Sequence, residues 1–449
     1  MSECTQADFS FPSFDRRKIE AGFTGGDVSS DGGVMLLRQA DHRVGLTRAV
    51  AEVLQDRRDP ALITHSLADL LRQRIYGLAL GYEDLNDHDT LRHDLAWQTA
   101  VERSEPLASS PTLCRLEGQA DRAAAAAIHG VLVEQFIASF GKRRPEELIL
   151  DFDATDDRVH GDQEGRSFHG YYGHHCFLPL YVFCGEQLLV SYLRPSNIDA
   201  ARHAWAILKL LVTRLRAAWP KVRIILRADS GFCRWRMLQW CERHGVDYIV
   251  GLARNARLEA MSAPLMEVAK AVCERSGGQK QRLFEWLRYA AATWDKERWV
   301  IAKAEYTEKG ANPRYVVTTL VDDPGTLYDR VYCARGEMEN RIKEQQLGLF
   351  ADRTSSHYWW PNQLRLLFSS CAYVLLEAIR RIGLAGTELA RAQAATIRLK
   401  LLKLGTVILR NTRRIRLLYS SAYPISGSLP RPSPGSPRPE PRMALSPAH

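Results

Sequence analysis

Two aspartates stand where predicted strands end, a position from which a carboxylate can bind a divalent cation. Asp153 closes the apolar run Leu148–Thr155, and Asp229 follows the run Val222–Leu226. If these strands are parallel neighbours, both side chains emerge at one carboxyl edge, where open α/β sheets bind ligands. Oxygen ligands suit Mg²⁺ or Mn²⁺, and a hard cation would also offset the repulsion between the two carboxylates. Taken singly, either aspartate could instead cap a turn or a helix.

A third carboxylate is expected from a helix that begins near Tyr332. Glu337, Glu339 and Glu344 all lie in that segment, and the pattern alone does not choose among them. Asp151 lies two residues before Asp153, on the same face of the strand, and is a rival for the first ligand position.

The elements that must position these acids follow a definite order. The predicted strands and helices are strands Leu148–Thr155, Cys176–Phe183 and Leu188–Leu193, helix Ala200–Ala218, strand Val222–Leu226, helix Trp235–His244 and strand Tyr248–Leu252. A three-stranded meander followed by helix, strand, helix and strand is typical of a ribonuclease-H-like α/β domain, in which the last two crossovers are right-handed and parallel. Trp299–Tyr306 and Tyr315–Val321 alternate like paired strands, which disfavours a long loop before the third acid.

Helical patterns are predicted on both sides of this core, and the second one is strongly basic. Residues 34–140 show amphipathic periodicity. The chain has 449 residues and a net charge of +9, while residues 380–416 alone carry ten Lys or Arg and a single acid, Glu388. Leucine and isoleucine recur at helical spacing there, which predicts a basic helix that contacts DNA phosphates. A solvated face and a membrane surface are the alternatives.

Composition excludes several classes of protein. Hydrophobic residues make up 45% and charged residues 25%, as in ordinary globular proteins. The start lacks the apolar stretch of a signal peptide, and no apolar run could span a bilayer. Nine scattered cysteines without a Cys-x-x-Cys pair indicate reduced thiols in a cytoplasm. Cys233, Cys241 and His244 fit no common zinc ligand spacing, and the glycines of residues 22–33 do not form a dinucleotide-binding motif.

Several segments together resemble the bacterial insertion-sequence transposases of the DDE type, in the IS1380 group. The resemblance covers about residues 20–425. The segments that carry it are Asp151–Asp156 with His160–Gly165, Leu193–Asn197, Arg227–Phe232, Ser30–Gly33, Arg72–Arg74 with Gly81–Asp84, Ser110–Thr112 with Arg115–Glu117, Asp352–Ser355 and Asn362–Leu366.

This resemblance assigns roles to individual residues. The wider family, which includes the IS4 group, spaces a Tyr, an Arg and a Glu as Tyr332, Arg335 and Glu339 are spaced here, which singles out Glu339 as the third acid. The family's first acid precedes one residue and then Thr, which fits Asp153 better than Asp151. The resemblance implies cleavage and joining of DNA by two metal ions about 3.5–4 Å apart, Mg²⁺ with Mn²⁺ as a substitute. The implied metal ligands are Asp153, Asp229 and Glu339, and the DNA-binding residues beside them are Tyr332, Arg335 and Lys343. The basic segment adds Arg410, Arg413, Arg414 and Arg416 as DNA-binding residues, on the evidence of its charge.

The resemblance also implies an organisation and partners. The implied fold is a ribonuclease-H-like catalytic core with a β-rich insertion, flanked by an N-terminal mainly helical region and a C-terminal basic helical region. The segments are 1–145 (helical, binding DNA), 146–252 with 331–379 (core), 253–330 (insertion), 380–422 (basic helix) and 423–449 (a disordered tail rich in Pro and Ser). The expected partners are transposon-end DNA and target DNA, with a homodimer in the synaptic complex and no membrane. The expected location is the cytoplasm, in association with the nucleoid.

Other interpretations remain open. Gln346 occupies a position where the wider family has Lys, and a catalytically impaired, DNA-binding relative is the alternative function. The histidines at 160, 169, 174 and 175 suggest a metal hydrolase, and Tyr171 or Tyr172 a nicking nucleophile, although the His-x-His pair of such nickases is absent.

Overall fold

The computed structural model describes residues 9–423 of the chain. The tail predicted to be disordered therefore lies, apart from Tyr423, outside the described residues. Within this range the strands, in chain order, are β1 (Phe9–Phe14), β2 (Arg17–Ala21), β3 (Val28–Ser29), β4 (Glu147–Ala154), β5 (Asp157–Arg158), β6 (Ser167–His169), β7 (His174–Phe177), β8 (Leu180–Cys184), β9 (Gln187–Tyr192), β10 (Arg223–Ala228), β11 (Asp247–Leu252), β12 (Gln281–Tyr289), β13 (Arg298–Thr307), β14 (Gly310–Ala311), β15 (Arg314–Thr318), β16 (Thr406–Arg410) and β17 (Ile415–Tyr419).

A nine-stranded sheet forms the centre of the fold. Its order is β12-β13-β15-β11-β10-β4-β8-β9, and β14 pairs with β13. Strands β4, β10 and β11 run parallel, which confirms the predicted pairing. Strands β8 and β9 continue antiparallel from one side, and β15, β13 and β12 do so from the other. The carboxyl ends of β4, β10, β11 and β13 therefore share one edge.

The predicted strand Cys176–Phe183 is in fact two strands. Strand β7 pairs with β5 and β6 in a small separate sheet, and β8 belongs to the central sheet. Pro179 lies between them and has no backbone N–H to donate, so the ladder is interrupted there. The small sheet follows β4 directly and is thereby placed at the carboxyl edge.

Residues 253–330 are rich in strands, as predicted, but they do not form a separate sheet. They begin with a helix, Ala256–Arg275, and continue as β12–β15. Strand β15 pairs with β11, so these strands extend the central sheet. The edge of β11 that does not pair with β10 offers backbone N–H and C=O groups, and β15 forms its hydrogen bonds with these groups.

The helices, in chain order, are α1 (Val34–Val44), α2 (Leu46–Val53), α3 (Leu67–Leu80), α4 (Asp87–Leu91), α5 (Leu95–Val101), α6 (Ser110–Gly118), α7 (Arg122–Ser139), α8 (Ala204–Ala218), α9 (Trp235–Arg243), α10 (Ala256–Arg275), α11 (Pro324–Thr326), α12 (Gly336–Lys343), α13 (Trp359–Ala378) and α14 (Ala394–Ile397). Ser66 and Asp69 form a reciprocal capping box that starts α3, and Gly81 ends this helix in the left-handed conformation. π-Helical turns follow α11, α12, α13 and α14, at Leu327–Tyr332, Glu344–Gly348, Ile379–Gly383 and Arg398–Leu402.

Two apolar cores cover the two faces of the sheet. Helices α8 and α9 pack on one face, through side chains such as Leu208 and Leu238. On the other face the buried helix α13 joins the sheet to the N-terminal helices, with Phe368 and Leu375 fully buried. Among residues 9–423, none of the helices combines the length and the apolar character needed to cross a membrane.

The predicted basic helix over residues 380–416 is wrong for most of that range. After α14 and its π-turn the chain forms the hairpin β16–β17, and β16 also pairs with β3 near the N-terminus. Gly405 precedes the hairpin and is a poor helix former, and the pairing of β16 with β3 could not be inferred from local spacing.

Several basic side chains of this segment form ion pairs or hydrogen bonds within the fold. Arg380 pairs with buried Glu344, and Arg381 pairs with Glu377. Arg398 donates to the backbone carbonyls of residues 78, 79 and 348. The segment is therefore less of a free basic surface than its charge suggests.

Buried Asp31 joins the two ends of the described chain. Its carboxylate accepts hydrogen bonds from the Tyr82 hydroxyl (2.8 Å), the Trp97 indole N–H (3.0 Å) and the Lys403 ammonium (2.9 Å). A Cβ on neighbouring Gly33 would lie 1.9 Å from the Leu401 carbonyl oxygen, so only glycine allows this close approach.

Candidate functional site

Asp153 lies near the end of β4, on the face that carries α13. Leu150 and Phe152 point into the core on the opposite face, so alternation along the strand places Asp151 and Asp153 together. Asp153 is 9% exposed. Its Oδ1 accepts a hydrogen bond from the Ala154 N–H (2.9 Å) and its Oδ2 from Arg335 Nη1 (3.2 Å).

Asp229 lies directly after β10 at the same edge of the sheet. Its Oδ1 accepts a hydrogen bond from the Gly231 N–H at 2.9 Å and so caps the short 3₁₀ turn that follows. Strand β11 passes very close to this turn at Gly251. A Cβ on Gly251 would lie 2.6 Å from the Tyr332 hydroxyl oxygen and 2.7 Å from the Ser230 nitrogen.

Gly251 was missed by sequence reasoning. A glycine inside an apolar strand is a signal of close backbone approach, but the sequence does not name what approaches. The structure shows that it is the turn after Asp229 together with the side chain of Tyr332.

Glu339 lies in α12, one turn after Arg335. Arg335 Nη2 donates to Glu339 Oε1 at 2.7 Å, while Nη1 donates to Asp153. This guanidinium therefore bridges two acids that are far apart in the sequence. The segment before α12 is anchored because Leu327 and Tyr328 pack on Ile225 and Ile249 of the central sheet.

The pKa of Asp153 shows how its neighbours influence this carboxyl group. Burial raises the pKa of Asp153 to about 7, Arg335 opposes the rise, and Asp229 and Glu339 add to it. Burial alone would lower the pKa of Arg335, but the charge of Asp153, followed by that of Glu339, raises it. Burial raises the pKa of Tyr332, and the charge of Asp229 adds to the rise. Asp229 and Glu339 are thus close enough to disfavour the charged form of Asp153.

Asp151 has a partner of its own. Arg227, its neighbour across the parallel pairing of β4 and β10, donates from Nε to one carboxylate oxygen (2.5 Å) and from Nη2 to the other (2.7 Å). Arg227 also donates to the Val331 carbonyl at 2.6 Å. This buried pair thereby ties β4 and β10 to the segment that leads to Tyr332.

The other residues of the helical segment have different surroundings. Glu344 is buried and accepts hydrogen bonds from Arg380 and from the Ala394 N–H. Glu337 and Lys343 are exposed, and Lys343 follows Glu339 by one turn. Gln346 donates to the Asp156 carbonyl at 2.9 Å, so this side chain joins the helical segment to the loop after β4.

Three carboxylates are a ligand set of the kind that Mg²⁺ and Mn²⁺ prefer. The side chains of residues 9–423 contain no group of three His, Cys, Asp or Glu already arranged around one point to hold a metal ion. Arg335 accounts for this at the site, because it engages both Asp153 and Glu339. The donor chemistry fits a divalent cation, and Arg335 would have to release these acids for the cation to bind.

The basic residues of the C-terminal hairpin lie apart from this site. Arg413, Arg414 and Arg416 are exposed around the turn that joins β16 to β17. Arg410 donates to Gln98 Oε1 (3.4 Å) and to the Ser104 carbonyl (3.2 Å), so the hairpin packs on the N-terminal helices.

The chain matches one family of known proteins over most of its length. The sequence model of the family described as transposase DDE domain, group 1, matches residues 11–431. A search of curated proteins gave no significant match. Among solved structures the chain is similar to one described as a cryo-EM structure of the piggyBac transposase synaptic complex with hairpin DNA, with 11% identity and a TM-score of 0.42 over 83% of this chain and 79% of that one.

Proposed function

Because the chain belongs to the family of transposase DDE domains, group 1, we propose that it is a DNA transposase of the IS1380 group that cuts and joins DNA strands at the carboxyl edge of its central sheet. The observation that carries this proposal is the Arg335 bridge between Asp153 and Glu339, beside Asp229. It joins acids from β4 and α12, and Asp229 follows β10 at the same edge of the sheet. Family membership alone would not say which carboxylates meet.

The core around these acids is ribonuclease-H-like in this proposal. The strands β4, β8, β9, β10 and β11, taken in chain order as one to five, lie in the spatial order three-two-one-four-five. Only the second is antiparallel to both of its neighbours. This order and these directions are those expected from a meander followed by two parallel crossovers.

The proposal assigns metal binding to Asp153, Asp229 and Glu339, which would hold the divalent cations. Mg²⁺ or Mn²⁺ bound there would activate the attacking water or 3′-hydroxyl and stabilise the leaving oxygen. Asp153 is preferred to Asp151 because one guanidinium, that of Arg227, holds both oxygens of Asp151 in a buried bidentate ion pair, whereas Arg335 contacts only one oxygen of Asp153.

The remaining side chains would hold the DNA. Arg335 alternates between the acids and a DNA phosphate, so that arrival of the strand frees Asp153 and Glu339. Tyr332 keeps its proton, because burial raises its pKa, and it donates to a phosphate oxygen beside Asp229. Lys343 is exposed one turn beyond Glu339 and adds a further cationic contact.

Transposon-end and target DNA are the partners in this proposal, and a homodimer holds the two ends. The N-terminal helices and the β16–β17 hairpin contact the duplex away from the acids, the hairpin through Arg410, Arg413, Arg414 and Arg416. The reaction takes place on nucleoid DNA in the cytoplasm.

The test is strand cleavage of DNA that contains the transposon ends, with Mg²⁺, Mn²⁺, Ca²⁺ or EDTA. Asp153→Asn, Asp229→Asn and Glu339→Gln are each expected to abolish cleavage and to retain binding. Glu337→Gln is the matched control, because this exposed carboxylate lies two residues from Glu339. Mg²⁺ and Mn²⁺ are expected to support cleavage, and Ca²⁺ only binding, because it tolerates looser shells than Mg²⁺.

Full activity in EDTA would contradict the metal-dependent reaction. A wild-type protein that binds the ends but never cuts them would indicate the DNA-binding relative instead. Normal cutting by Asp153→Asn would remove this residue from the site.

A further inference from the structure

The turn between β6 and β7, together with the strand residues that flank it, is rich in aromatic and imidazole side chains. Six of the eight residues from Phe168 to His175 carry an aromatic or imidazole ring, and the other two are glycines. Tyr171 at its tip is 87% exposed. Tyr172 lies beneath it, with ring centroids 5.1 Å apart, and His169 contacts Tyr172 at 4.9 Å. The Gly173 N–H donates to the His169 carbonyl at 2.8 Å and closes the turn.

This turn is fixed to the edge of the sheet that carries Asp153. Strand β5 begins three residues after the end of β4 and pairs with β7. Asp156, in the connection between them, accepts a hydrogen bond from His174 Nε2 at 2.8 Å. Burial, followed by the charges of Asp156 and Asp153, raises the pKa of Tyr172 to about 12. The rings therefore lie at the same edge of the sheet as Asp153.

We propose that Tyr171, supported by Tyr172 and His169, is a stacking platform that holds an unpaired DNA base next to the phosphate to be cut. This inference rests on the proposed function. Asp153 is only 9% exposed, and local opening of the strands would give a phosphate closer access to it. An opened base needs a surface to replace the stacking it had in the duplex, and exposed rings supply it without regard to sequence.

A role for these tyrosines as covalent nucleophiles fits less well. The raised pKa keeps Tyr172 protonated at neutral pH, which disfavours attack on a phosphate. A stacking ring needs exposure rather than ionisation, and Tyr171 is 87% exposed.

The experiment measures the binding of two labelled single strands to the full-length protein in EDTA, by fluorescence anisotropy. One strand is oligothymidylate, and the other has the same length and backbone but consists of abasic sites. Tyr171→Ala is expected to weaken oligothymidylate binding by roughly 5- to 150-fold, the range for removal of one stacked base. Binding of the abasic strand should not change, and Tyr171→Trp should restore affinity for the bases.

Trp299→Ala is the matched control. Trp299 is 47% exposed and begins β13, at the amino edge of the sheet and so opposite the acids. Unchanged oligothymidylate binding by Tyr171→Ala would overturn the inference, as would an equal decrease for both strands. If Tyr171→Ala binds normally while Asp153→Asn fails to cleave, the inference fails and the proposed function stands. If the wild-type protein cleaves no DNA, the proposed function itself fails.

Discussion

Asp153 is buried, and the neighbouring acids Asp229 and Glu339 disfavour its negative charge. Burial raises its folded-state pKa to about 7 from an ordinary value of 3.8, and Asp229 and Glu339 contribute to the rise. A carboxylate whose pKa is raised in this way destabilises the folded state when it is ionised, and a bound cation would offset this effect. The site therefore carries a conflict between folding and the proposed chemistry.

This conflict predicts that Asp153→Asn stabilises the metal-free protein. Between about pH 4 and pH 7 the folded state retains a proton that the unfolded state has released, so the wild-type free energy of unfolding falls as pH rises. The variant lacks this decrease. Its advantage should grow across that window, reach on the order of 2–4 kcal/mol and stay constant at higher pH.

Denaturant unfolding in EDTA at several pH values measures the effect. Asp162→Asn is the control, because this side chain is 88% exposed. Parallel pH profiles for Asp153→Asn and the wild type would contradict the prediction.

Some of this site could be predicted from individual residues. Asp153 and Asp229 follow apolar runs of strand length, so pattern alone placed both at strand ends. Glu339 was selected only through the family spacing, because neighbouring Glu337 and Glu344 have the same local pattern. A salt bridge from Arg335 to Glu339 was among the alternatives, but the contact of Arg335 with Asp153 was not predicted, since the direction of a long side chain depends on charges supplied by other elements.

At the scale of elements, the crossing of β11 over the turn after Asp229 sets the geometry of the site. Gly251 allows the crossing, and any Cβ there would push on both the Ser230 backbone and the Tyr332 hydroxyl. Two proposed functional positions would move together.

We expect Gly251→Ala to reduce cleavage by about 100-fold, since displacements near 1 Å have such effects on positioned groups. DNA binding through remote contacts should be retained. Gly336→Ala is the matched control: it lies at the start of α12, a Cβ there would meet nothing within 4 Å, and alanine favours the helix. Equal cleavage by the two variants would show that the crossing does not position the site.

The β16–β17 hairpin is the second element with a testable role. Arg413→Gln, Arg414→Gln and Arg416→Gln together should weaken duplex binding at all sequences. The log–log dependence of affinity on salt should flatten by roughly 0.9 for each DNA phosphate that the hairpin no longer neutralises.

A matched triple variant has the same change of charge at a different place in the fold. Lys142, Arg143 and Arg144 are exposed and precede β4, at the amino edge. Their replacement by Gln should leave the salt dependence nearly unchanged. Identical slopes for the two triple variants would show that overall charge, and not the hairpin, determines binding.

Element types were predicted well where local pattern decides them, as in β4, β10, β11 and the long helices. They were predicted wrongly where pairing comes from a distant segment. Residues 406–419 alternate weakly and contain leucines that suit either a helix or a strand, and the pairing with Val28–Ser29 decides in favour of the strand. The extension of the central sheet by β15 was missed for the same reason.

At the scale of the whole molecule, Asp31 is the point where the N-terminal and C-terminal segments meet. Lys403→Met should remove the only cationic partner of this buried carboxylate among the described residues. We expect a decrease of about 2–4 kcal/mol in the free energy of unfolding. Lys400→Met is the control, because Lys400 is exposed and forms no ion pair in the described part of the chain. Similar melting temperatures for both variants would contradict the prediction.

The contact between Asp31 and Lys403 spans 372 positions of the sequence. At synthesis rates of about 5–20 residues per second, Asp31 leaves the ribosome roughly 20–75 s before its partner is made. Until then the N-terminal helices hold an uncompensated carboxylate, and β3 lacks β16. A chain released before Lys403 is made can never close this junction, so we expect products truncated there to be removed by proteases.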